Sequence, residues 1–402
     1  MASSQLTIKT NKSIFLNLVD GTPCAMKVAC TVWLRGKVSD YFKDLPIEIT
    51  MVCGSPGSGK TFFMLNVCAN CLGTGQRVVV IDPKNDFSKL LNVSNNVELI
   101  DINHIRPGAL NPFTFLDRFD TSTLLTIIEI ICGKLDKEDI IEITPIVKDF
   151  VTQFIRDNQY RDMQDIADYL YSRDSVAAQK VGTMLKTYED NKYGPLLFTR
   201  EENVIPLHLS KTSSMVISLH GMSLPDYTKK AEDYDANERF TSAIIYILTA
   251  KLLEILSGDN KIPTTLVCDE AHLLFGNKEM SQIIDRFLVL GRSLNVATVL
   301  ASQGVSHFPD GIANYITSKF IFRSSIEEAQ LFLEKFDTSK LDANNAIDVD
   351  SVVSGITKLE TGKCFMIDSQ NRNGFIQIIS NYDVQKLTSN PFDKDRDKEE
   401  DA

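Results

Sequence analysis

The sequence predicts an α/β fold with a mostly parallel sheet, and three features of the chain support this prediction. Short apolar segments rich in β-branched residues alternate with segments of helical periodicity on both sides of the middle of the chain. One such segment, Pro46 to Cys53, ends in glycines, which is typical of a buried strand that leads into a loop and a helix. The middle of the chain has helical periodicity and predicts an all-helical insertion.

The first strand-helix-strand unit is predicted around the glycine-rich loop. Pro46 to Cys53 is the first strand, and Phe62 to Leu72 has helical spacing that ends at Gly73-Thr74-Gly75. Arg77 to Ile81 is the next strand and closes on Asp82-Pro83-Lys84. A strand, a helix and a second strand in this order form one unit of a parallel sheet.

The predicted insertion follows this unit. Apolar residues recur at helical spacing, for example in Leu124 to Ile131 and in Ile146 to Phe154. Strand patterns return only at Met215, and from there strands and helices alternate again as in a RecA-like P-loop NTPase core. The later elements are strand 215–219, helix 237–256, strand 264–270, helix 279–292, strand 297–303, strand 319–323, a helix opened by the capping box 325–328, and a hairpin of 362–367 and 374–379.

These patterns divide the chain into five parts. Ser13 to Leu18 and Val28 to Leu34 are strand-like and predict a small N-terminal β layer, whereas the last residues are almost all charged and predict disorder. The parts are an N-terminal β segment (1–45), the first part of the RecA-like core (46–113), the all-helical insertion (114–206), the second part of the core with the C-terminal hairpin (207–390) and a disordered charged tail (391–402).

The glycine-rich loop has the G-x-x-x-x-G-K-[ST] spacing of a P-loop. Its glycines let successive backbone N–H groups and the N-terminus of the following helix point at one anion. The lysine adds a charge for the β- and γ-phosphates of ATP, and the threonine hydroxyl is placed to bind Mg²⁺. The predicted binding residues are Gly54, Ser55, Pro56, Gly57, Ser58, Gly59, Lys60 and Thr61.

Two adjacent acids end the strand of residues 264–270. A P-loop enzyme that hydrolyses ATP needs a carboxylate for Mg²⁺ and, as a rule, a base for the attacking water. Asp269 is the predicted metal ligand and Glu270 the predicted base, and neighbouring side chains on a strand are expected to point to opposite sides. His272 completes the letters Asp-Glu-Ala-His, but no helicase arginine motif follows, so it is interpreted as an ordinary loop or core histidine.

Three further polar residues are expected at the same side of the sheet. Gln303 ends the next strand, where an amide can sense the γ-phosphate, although it can also simply cap a loop. Arg292 and Arg323 lie near other strand edges, and either one could reach the nucleotide of a neighbouring subunit as an arginine finger. A surface salt bridge is the alternative for each arginine.

Composition narrows the class of protein. No segment has the roughly 20 apolar residues of a membrane-spanning helix, and Met1 to Gln5 does not begin a signal peptide, so we expect a cytoplasmic chain without an integral membrane segment. The eight cysteines, including Cys68 and Cys71, are interpreted as reduced thiols. The net charge of −11 offers no general attraction for nucleic acid, but a ring can still line a channel with a few basic residues.

The order of the motifs resembles the FtsK/HerA branch of P-loop ATPases. Within that branch, the chain from Pro46 to Asn390 is most similar to the C-terminal ATPase domain of the VirB-four type secretion ATPases and their TrwB-like coupling relatives. The motifs that carry the resemblance are the P-loop, Asp82-Pro83-Lys84-Asn85-Asp86, Leu110-Asn111-Pro112-Phe113, the helical insertion, Asp269-Glu270-Ala271-His272, Gly291-Arg292-Ser293 and Ala301-Ser302-Gln303.

The resemblance implies ATP and Mg²⁺ as cofactors, hexamers with ATP sites at subunit interfaces, and work on DNA or protein transfer beside membrane-associated secretion components. It also favours Arg292 over Arg323 as the finger. Proteins of the VirB-four type usually carry a large N-terminal domain before the P-loop, which predicts either a short stand-alone form or a motor domain here. Two alternatives stay open: a HerA/FtsK-like DNA translocase or phage packaging motor, and a nucleotide-gated assembly protein with slow turnover.

Overall fold

The structure is a computed structural model, and it describes residues 15–18, 49–133, 135–199, 204–226, 229–258, 262–275, 284, 286–289, 291, 293–336, 349–369 and 371–380. The strands in these ranges are β1 (Phe15–Leu18), β2 (Ile49–Cys53), β3 (Arg77–Asp82), β4 (Val97–Asp101), β5 (Ser214–Ser218), β6 (Thr264–Cys268), β7 (Val296–Ser302), β8 (Ser318–Phe322), β9 (Lys363–Ile367) and β10 (Asn373–Ile379). The helices are α1 (Lys60–Gly73), α2 (Thr121–Cys132), α3 (Lys137–Asp157), α4 (Met163–Tyr171), α5 (Val176–Lys186), α6 (Ala236–Leu256), α7 (Ile326–Phe336) and α8 (Val349–Thr357), with single-turn helices at Pro112–Phe115 and Asp310–Ala313.

One ten-stranded sheet forms the centre of the described chain, in the order β1-β10-β9-β8-β2-β7-β6-β3-β5-β4. The strands from β8 to β4 in this order are parallel to one another. β9, β10 and β1 extend the sheet in antiparallel fashion beyond β8. The predicted hairpin is therefore β9 and β10, and the predicted mostly parallel sheet is present.

The two faces of the sheet pack against different helices. Side chains of the central strands alternate between two hydrophobic clusters, as the period of a strand requires: Val52 faces one cluster and Met51 the other. α1 covers the first face, where Phe63 packs on Phe320 of β8 with ring centroids 4.8 Å apart. The second face packs against α6 and the helices of the middle segment. The central strands are thus buried on both faces, which explains their continuous apolar sequences.

The regular elements in the described residues of the middle segment are all helices, as predicted. α2, α3, α4 and α5 follow one another between β4 and β5, and α2 packs along α6. Aromatic rings join this segment to the core, with Phe113 lying 4.5 Å from Phe119 and 5.2 Å from Phe154 between ring centroids. α4 begins with a capping box in which the buried Asp162 accepts hydrogen bonds from two backbone N–H groups.

The N-terminal segment, for which a small β layer is predicted, adds a strand to the main sheet. Its described residues, Phe15–Leu18, form β1, which pairs with β10 at the edge of the main sheet. The second strand-like piece, 28–34, and the charged tail, 391–402, lie outside the described residues. The helix predicted at 279–292 is described only in part, and its described residues are helical.

The helices within the described ranges do not have the combination of length and hydropathy that a membrane span requires.

Candidate active site

The residues predicted to carry chemistry converge on one edge of the sheet. β2, β3, β6, β7 and β8 are parallel, so their carboxyl ends lie side by side. The glycine-rich loop follows β2, Asp82 ends β3, Asp269 and Glu270 follow β6, and Gln303 follows β7. β7 lies between the strand of the loop and the strand of the acids. Ligands of open parallel sheets bind at this carboxyl edge.

The loop between β2 and α1 is held from outside by two other parts of the sheet. Ser55 N donates a hydrogen bond to Arg323 O at the end of β8 over 2.8 Å. The turn before β9 contacts the loop twice, because Gly362 N donates to Ser58 O over 3.0 Å and the Thr361 hydroxyl donates to Gly57 O over 3.2 Å.

Gly59 explains why this loop needs glycine. Its φ angle of 108° is one that residues with a Cβ rarely adopt, and a Cβ at this position would lie 2.9 Å from Gly362 N. The close approach of the loop and the turn before β9 therefore depends on the missing side chain.

Lys60 is buried at the first turn of α1, with 9% of its surface exposed. Its ammonium donates hydrogen bonds to Gly54 O over 2.5 Å and to Ser55 O over 3.1 Å. Burial lowers the pKa of this lysine, while the negative charges of Asp269 and Glu270 act in the opposite direction. Thr61 follows it in α1, so lysine and threonine begin the same helix turn.

Asp269 is a buried carboxyl group with one oxygen, Oδ2, that makes no hydrogen bond to the described residues. Burial raises its pKa to about 7, with Lys84 opposing the rise and Glu270 adding to it. A buried carboxylate with a free oxygen is the donor that a hard cation such as Mg²⁺ takes, as is a threonine hydroxyl. Asp269 and Thr61 therefore fit the metal that their positions predict.

Glu270 lies beyond the end of β6 and adopts a left-handed backbone conformation, with a φ angle of 66°. A non-glycine residue in this region costs roughly 1–3 kcal/mol, and such residues cluster at functional sites. The strand was predicted to continue to residue 270, so that Asp269 and Glu270 would point to opposite sides. This strand end is wrong, because β6 ends at Cys268 and the chain turns at Glu270. Local strand periodicity alone could not predict this turn.

One oxygen of the Glu270 carboxylate, Oε1, accepts two hydrogen bonds, whereas the buried Oε2 accepts none from the described residues. Its Oε1 accepts from the Lys84 ammonium and, over 3.0 Å, from Gln303 Nε2, while Oε2 lies 3.4 Å from His272 Nδ1. Burial by itself would raise the pKa of Glu270, but the adjacent His272, the hydrogen bonds from Lys84 and Gln303 and the charge of Lys84 lower it to about 2. Gln303 thus lies beside the predicted base, and its predicted role as a sensor of the γ-phosphate stays a prediction.

Lys84 is a residue of this site that the sequence interpretation did not assign. The fully buried Asp82 positions it by accepting hydrogen bonds from the backbone N–H groups of Lys84, Asp86 and Phe87 over 3.2, 3.2 and 2.8 Å. The Asp-Pro-Lys sequence at the end of β3 was the available signal. It could be connected to Glu270 only through the strand order, which places β3 beside β6.

His272 lies beside the predicted base, with Nδ1 3.4 Å from Glu270 Oε2, and its interpretation as an ordinary loop or core histidine stays a prediction. Its ring also lies edge-on to the ring of His307, 5.6 Å away between centroids. His307 Nδ1 is 2.6 Å from the Ser302 hydroxyl at the end of β7. Burial, with the neighbouring His272 as the next cause, lowers the pKa of His307.

The two candidate finger arginines have different standing. Arg323 has an exposed side chain and follows β8. It therefore lies at the carboxyl edge, beside the glycine-rich loop, where its carbonyl oxygen accepts the hydrogen bond from Ser55 N. Arg292 lies outside the described residues, and its neighbours Gly291 and Ser293 are helical. The role of either arginine stays a prediction.

Comparisons with known proteins agree with this architecture. The model of a family described as "AAA-like domain" matches residues 47–387. VirB4 of Thermoanaerobacter pseudethanolicus has a similar structure, with a TM-score of 0.65, 15% sequence identity and coverage of 92% of this chain and 98% of that one. The predicted RecA-like fold and the resemblance to VirB-four type ATPases are therefore confirmed.

Two further proteins are similar to this chain: one has a lower structural similarity than VirB4, and the other is much longer than this chain. The plasmid coupling protein TrwB, in complex with a non-hydrolysable GTP analogue, has a TM-score of 0.52 at 11% identity, covering 85% of this chain and 92% of that one. The uncharacterized protein YddE of Bacillus subtilis (strain 168) is 23% identical over 278 residues, which are 63% of this chain. This chain spans about a third of YddE, since the match covers 33% of that protein.

Proposed function

The chain belongs to the AAA-like domain family, and on that premise we propose that it binds ATP with Mg²⁺ and hydrolyses it at the carboxyl edge of the sheet. The observation that supports this most is the convergence of Lys60, Asp269 and Glu270, which come from distant parts of the sequence and influence one another's pKa. An anion-binding loop, a free buried carboxylate oxygen and a second acid are the parts that phosphoryl transfer to water requires.

The P-loop contributes binding and orientation. Its backbone N–H groups and the N-terminus of α1 face one anion, and a helix N-terminus attracts phosphate. The Lys60 ammonium, which donates to Gly54 O and Ser55 O, exchanges these carbonyl groups for phosphate oxygens of the nucleotide. Charge-assisted hydrogen bonds to phosphate are stronger than those to neutral carbonyl groups, so the exchange is favourable.

The acids contribute the metal site and the base. Thr61 and Asp269 hold Mg²⁺, which when bound neutralises negative charge on the phosphates. Glu270 orients the attacking water and accepts its proton, and the neighbouring Gln303 holds the Glu270 carboxylate in place. TrwB, which shares the fold, has been determined with a non-hydrolysable ATP analogue as well as with the GTP analogue.

We further propose that this ATPase acts as a homo-oligomer, a hexameric ring, that powers conjugative transfer of DNA or protein through a type IV secretion system. Support comes from the structural likeness to VirB4 and to TrwB, a bacterial conjugative coupling protein. In this proposal the chain works in the cytoplasm and meets the inner face of the membrane through secretion partners. Arg292, or else Arg323, completes the site of a neighbouring subunit.

A nucleotide-gated assembly protein with slow turnover is a second candidate, and one observation favours it. Glu270 Oε1 accepts hydrogen bonds from Lys84 and Gln303, and Oε2 is buried, so the carboxylate is poorly available to a water molecule. A DNA translocase or packaging motor predicts ATP turnover that rises when DNA is added, whereas an assembly protein predicts slow turnover that DNA does not change.

The proposed ATP site is tested by the variant Lys60→Ala, with Lys251→Ala as the matched control. Both lysines are largely buried. Lys251, however, lies on α6, away from the carboxyl edge, and forms an ion pair with Asp117. We expect phosphate release to fall at least about 100-fold in Lys60→Ala and to stay near the wild-type rate in the control. Wild-type hydrolysis by a folded Lys60→Ala protein would refute the site.

A further inference from the structure

The loop after β7 begins with Gln303 and is held by a side chain from another element. One residue after Gln303, the chain forms a single-turn helix at Val305–His307. The first backbone N–H groups of a helical turn have no partner within it. Here they are satisfied by Glu328, whose Oε2 accepts from Val305 N over 2.5 Å and from Ser306 N over 3.4 Å. Glu328 Oε1 also accepts from the Ser306 hydroxyl over 2.6 Å.

Glu328 lies in the first turn of α7 and is half-buried. Ser325 and Glu328 were predicted to form a capping box, in which the glutamate side chain turns back to the start of its own helix. Ser325 Oγ does accept from Glu328 N over 3.3 Å, but both carboxylate oxygens accept from the loop after β7. Gly304 permits this close approach, since a Cβ there would lie 2.8 Å from Glu328 Oε1.

α7 is a firmly packed support for the loop. Four of its side chains are buried in the hydrophobic core: Ala329, Phe332, Leu333 and Phe336. Farther along the loop, Lys335 Nζ donates to Phe308 O over 2.7 Å and forms an ion pair with Asp310 over 2.9 Å. α7 therefore holds the loop at two places, and the contact of Glu328 is the one next to Gln303.

The placement of Gln303 matters because its Nε2 donates to Glu270 Oε1 over 3.0 Å. Val305 is fully buried, so without Glu328 its N–H lacks a partner and the turn has to rearrange. Only one residue separates Val305 from Gln303, so this rearrangement also moves the backbone of Gln303. Hydrogen bonds weaken steeply when their distance and angle change, and the contact of the amide with Glu270 is weakened as a result.

We propose that Glu328 is a positioning residue for ATP hydrolysis, which holds the turn at Val305–His307 and thereby keeps the Gln303 amide beside Glu270. Glu328 acts through Gln303 and does not touch the nucleotide. The inference rests on the proposed function, because it assumes that the site at the carboxyl edge hydrolyses ATP.

The contact itself is tested without turnover, by amide hydrogen exchange of the full-length chain. The variant is Glu328→Ala, and the matched control is Glu327→Ala, which removes an exposed acid from the same first turn of α7. We expect the amides of Val305 and Ser306 to exchange at least about fivefold faster in Glu328→Ala and at the wild-type rate in the control. Equal exchange in Glu328→Ala and wild type would overturn the inference.

The effect on catalysis is tested by measuring kcat and nucleotide affinity separately. In Glu328→Ala we expect kcat to fall about tenfold, with affinity for a non-hydrolysable ATP analogue unchanged within about twofold. Glu328→Gln should recover most of the rate, because its amide oxygen can accept from Val305 N and the Ser306 hydroxyl can accept from its amide nitrogen.

A double variant shows whether Glu328 acts through Gln303. Groups that act as one unit are not additive, so Glu328→Ala should lower kcat by less than about twofold further when Gln303→Ala is already present. The full further loss would contradict the inference, because a merely structural glutamate would act independently of Gln303.

Gly304→Ala disturbs the same contact from the side of the loop and keeps the acid, so it applies even if Glu328→Ala does not fold. Its Cβ would meet Glu328 Oε1, and we expect kcat to fall at least about threefold with unchanged affinity for the analogue. If the wild-type chain hydrolyses ATP but both variants keep its kcat, the inference is refuted and the proposed function stands. If the wild-type chain neither binds the analogue nor hydrolyses ATP, both are refuted.

Discussion

Replacement of Gly182 by alanine sets two opposing effects against each other in the helical segment. Gly182 lies in α5, and a Cβ at this position would meet Tyr171 N at 2.6 Å and Ala167 O at 2.8 Å, both backbone atoms of α4. Alanine stabilises a helix interior by about 1 kcal/mol relative to glycine. Overpacking costs roughly 1–3 kcal/mol, and backbone atoms cannot turn aside as a side chain can. Both contacts are with backbone atoms, so we take the upper part of this range, about 2–3 kcal/mol, and expect a net loss of about 1–2 kcal/mol.

The assay is urea unfolding followed by circular dichroism, with Gly311→Ala as the control. Gly311 lies in the single-turn helix Asp310–Ala313, and a Cβ there would have no neighbour within 4 Å, so this variant should be at least as stable as wild type. Equal stability of Gly182→Ala and wild type would show that α4 and α5 are less tightly packed than argued. Nucleotide affinity is measured in parallel, because unchanged affinity in Gly182→Ala is expected if residues 114–206 form an insertion domain apart from the ATP site.

Three further predictions concern the site. Glu270→Gln should lower phosphate release about 10²–10⁴-fold while it keeps affinity for an ATP analogue, because the amide cannot take a proton from water; turnover close to wild type would place the base elsewhere. If Arg292 acts on a neighbour's nucleotide, mixing inactive Arg292→Ala and Lys60→Ala subunits should restore part of the ATPase activity, and mixtures that exchange subunits yet stay inactive would show that it does not. Thr361→Val should weaken binding of an ATP analogue about fivefold in a titration, since it removes the hydrogen bond to Gly57 O, worth about 1 kcal/mol; unchanged affinity would show that this turn does not support the loop.

Much of the site could be predicted because its parts are signalled by local sequence. A P-loop is a strand, a fixed glycine spacing and a helix, and all of these lie within Pro46 to Leu72. Asp269, Glu270 and Gln303 were each marked by an apolar strand that ends in a polar residue. Because parallel strands bring their carboxyl ends to one edge, local patterns were enough to place these residues together.

The contacts of Lys84 could not be predicted in the same way. It is 186 residues from Glu270, and the pair exists because β3 lies beside β6 in the sheet. Strand order is a property of the whole fold, and periodicity along the chain does not contain it. The left-handed turn at Glu270 could not be predicted for a related reason. A glutamate adopts this backbone conformation only where the surrounding structure imposes it.

The N-terminal strand was predicted within Ser13 to Leu18, but local periodicity could not show its place in the sheet, which connects it to the glycine-rich loop. β1 pairs with β10, and Ile378 N in β10 donates a hydrogen bond to Gly362 O over 2.9 Å. Gly362 N in turn donates to Ser58 O in the P-loop. The loop and this turn also lie close together at Gly59, where a Cβ would be 2.9 Å from Gly362 N. The antiparallel edge of the sheet is thus connected through backbone hydrogen bonds to the loop that we propose holds the phosphates.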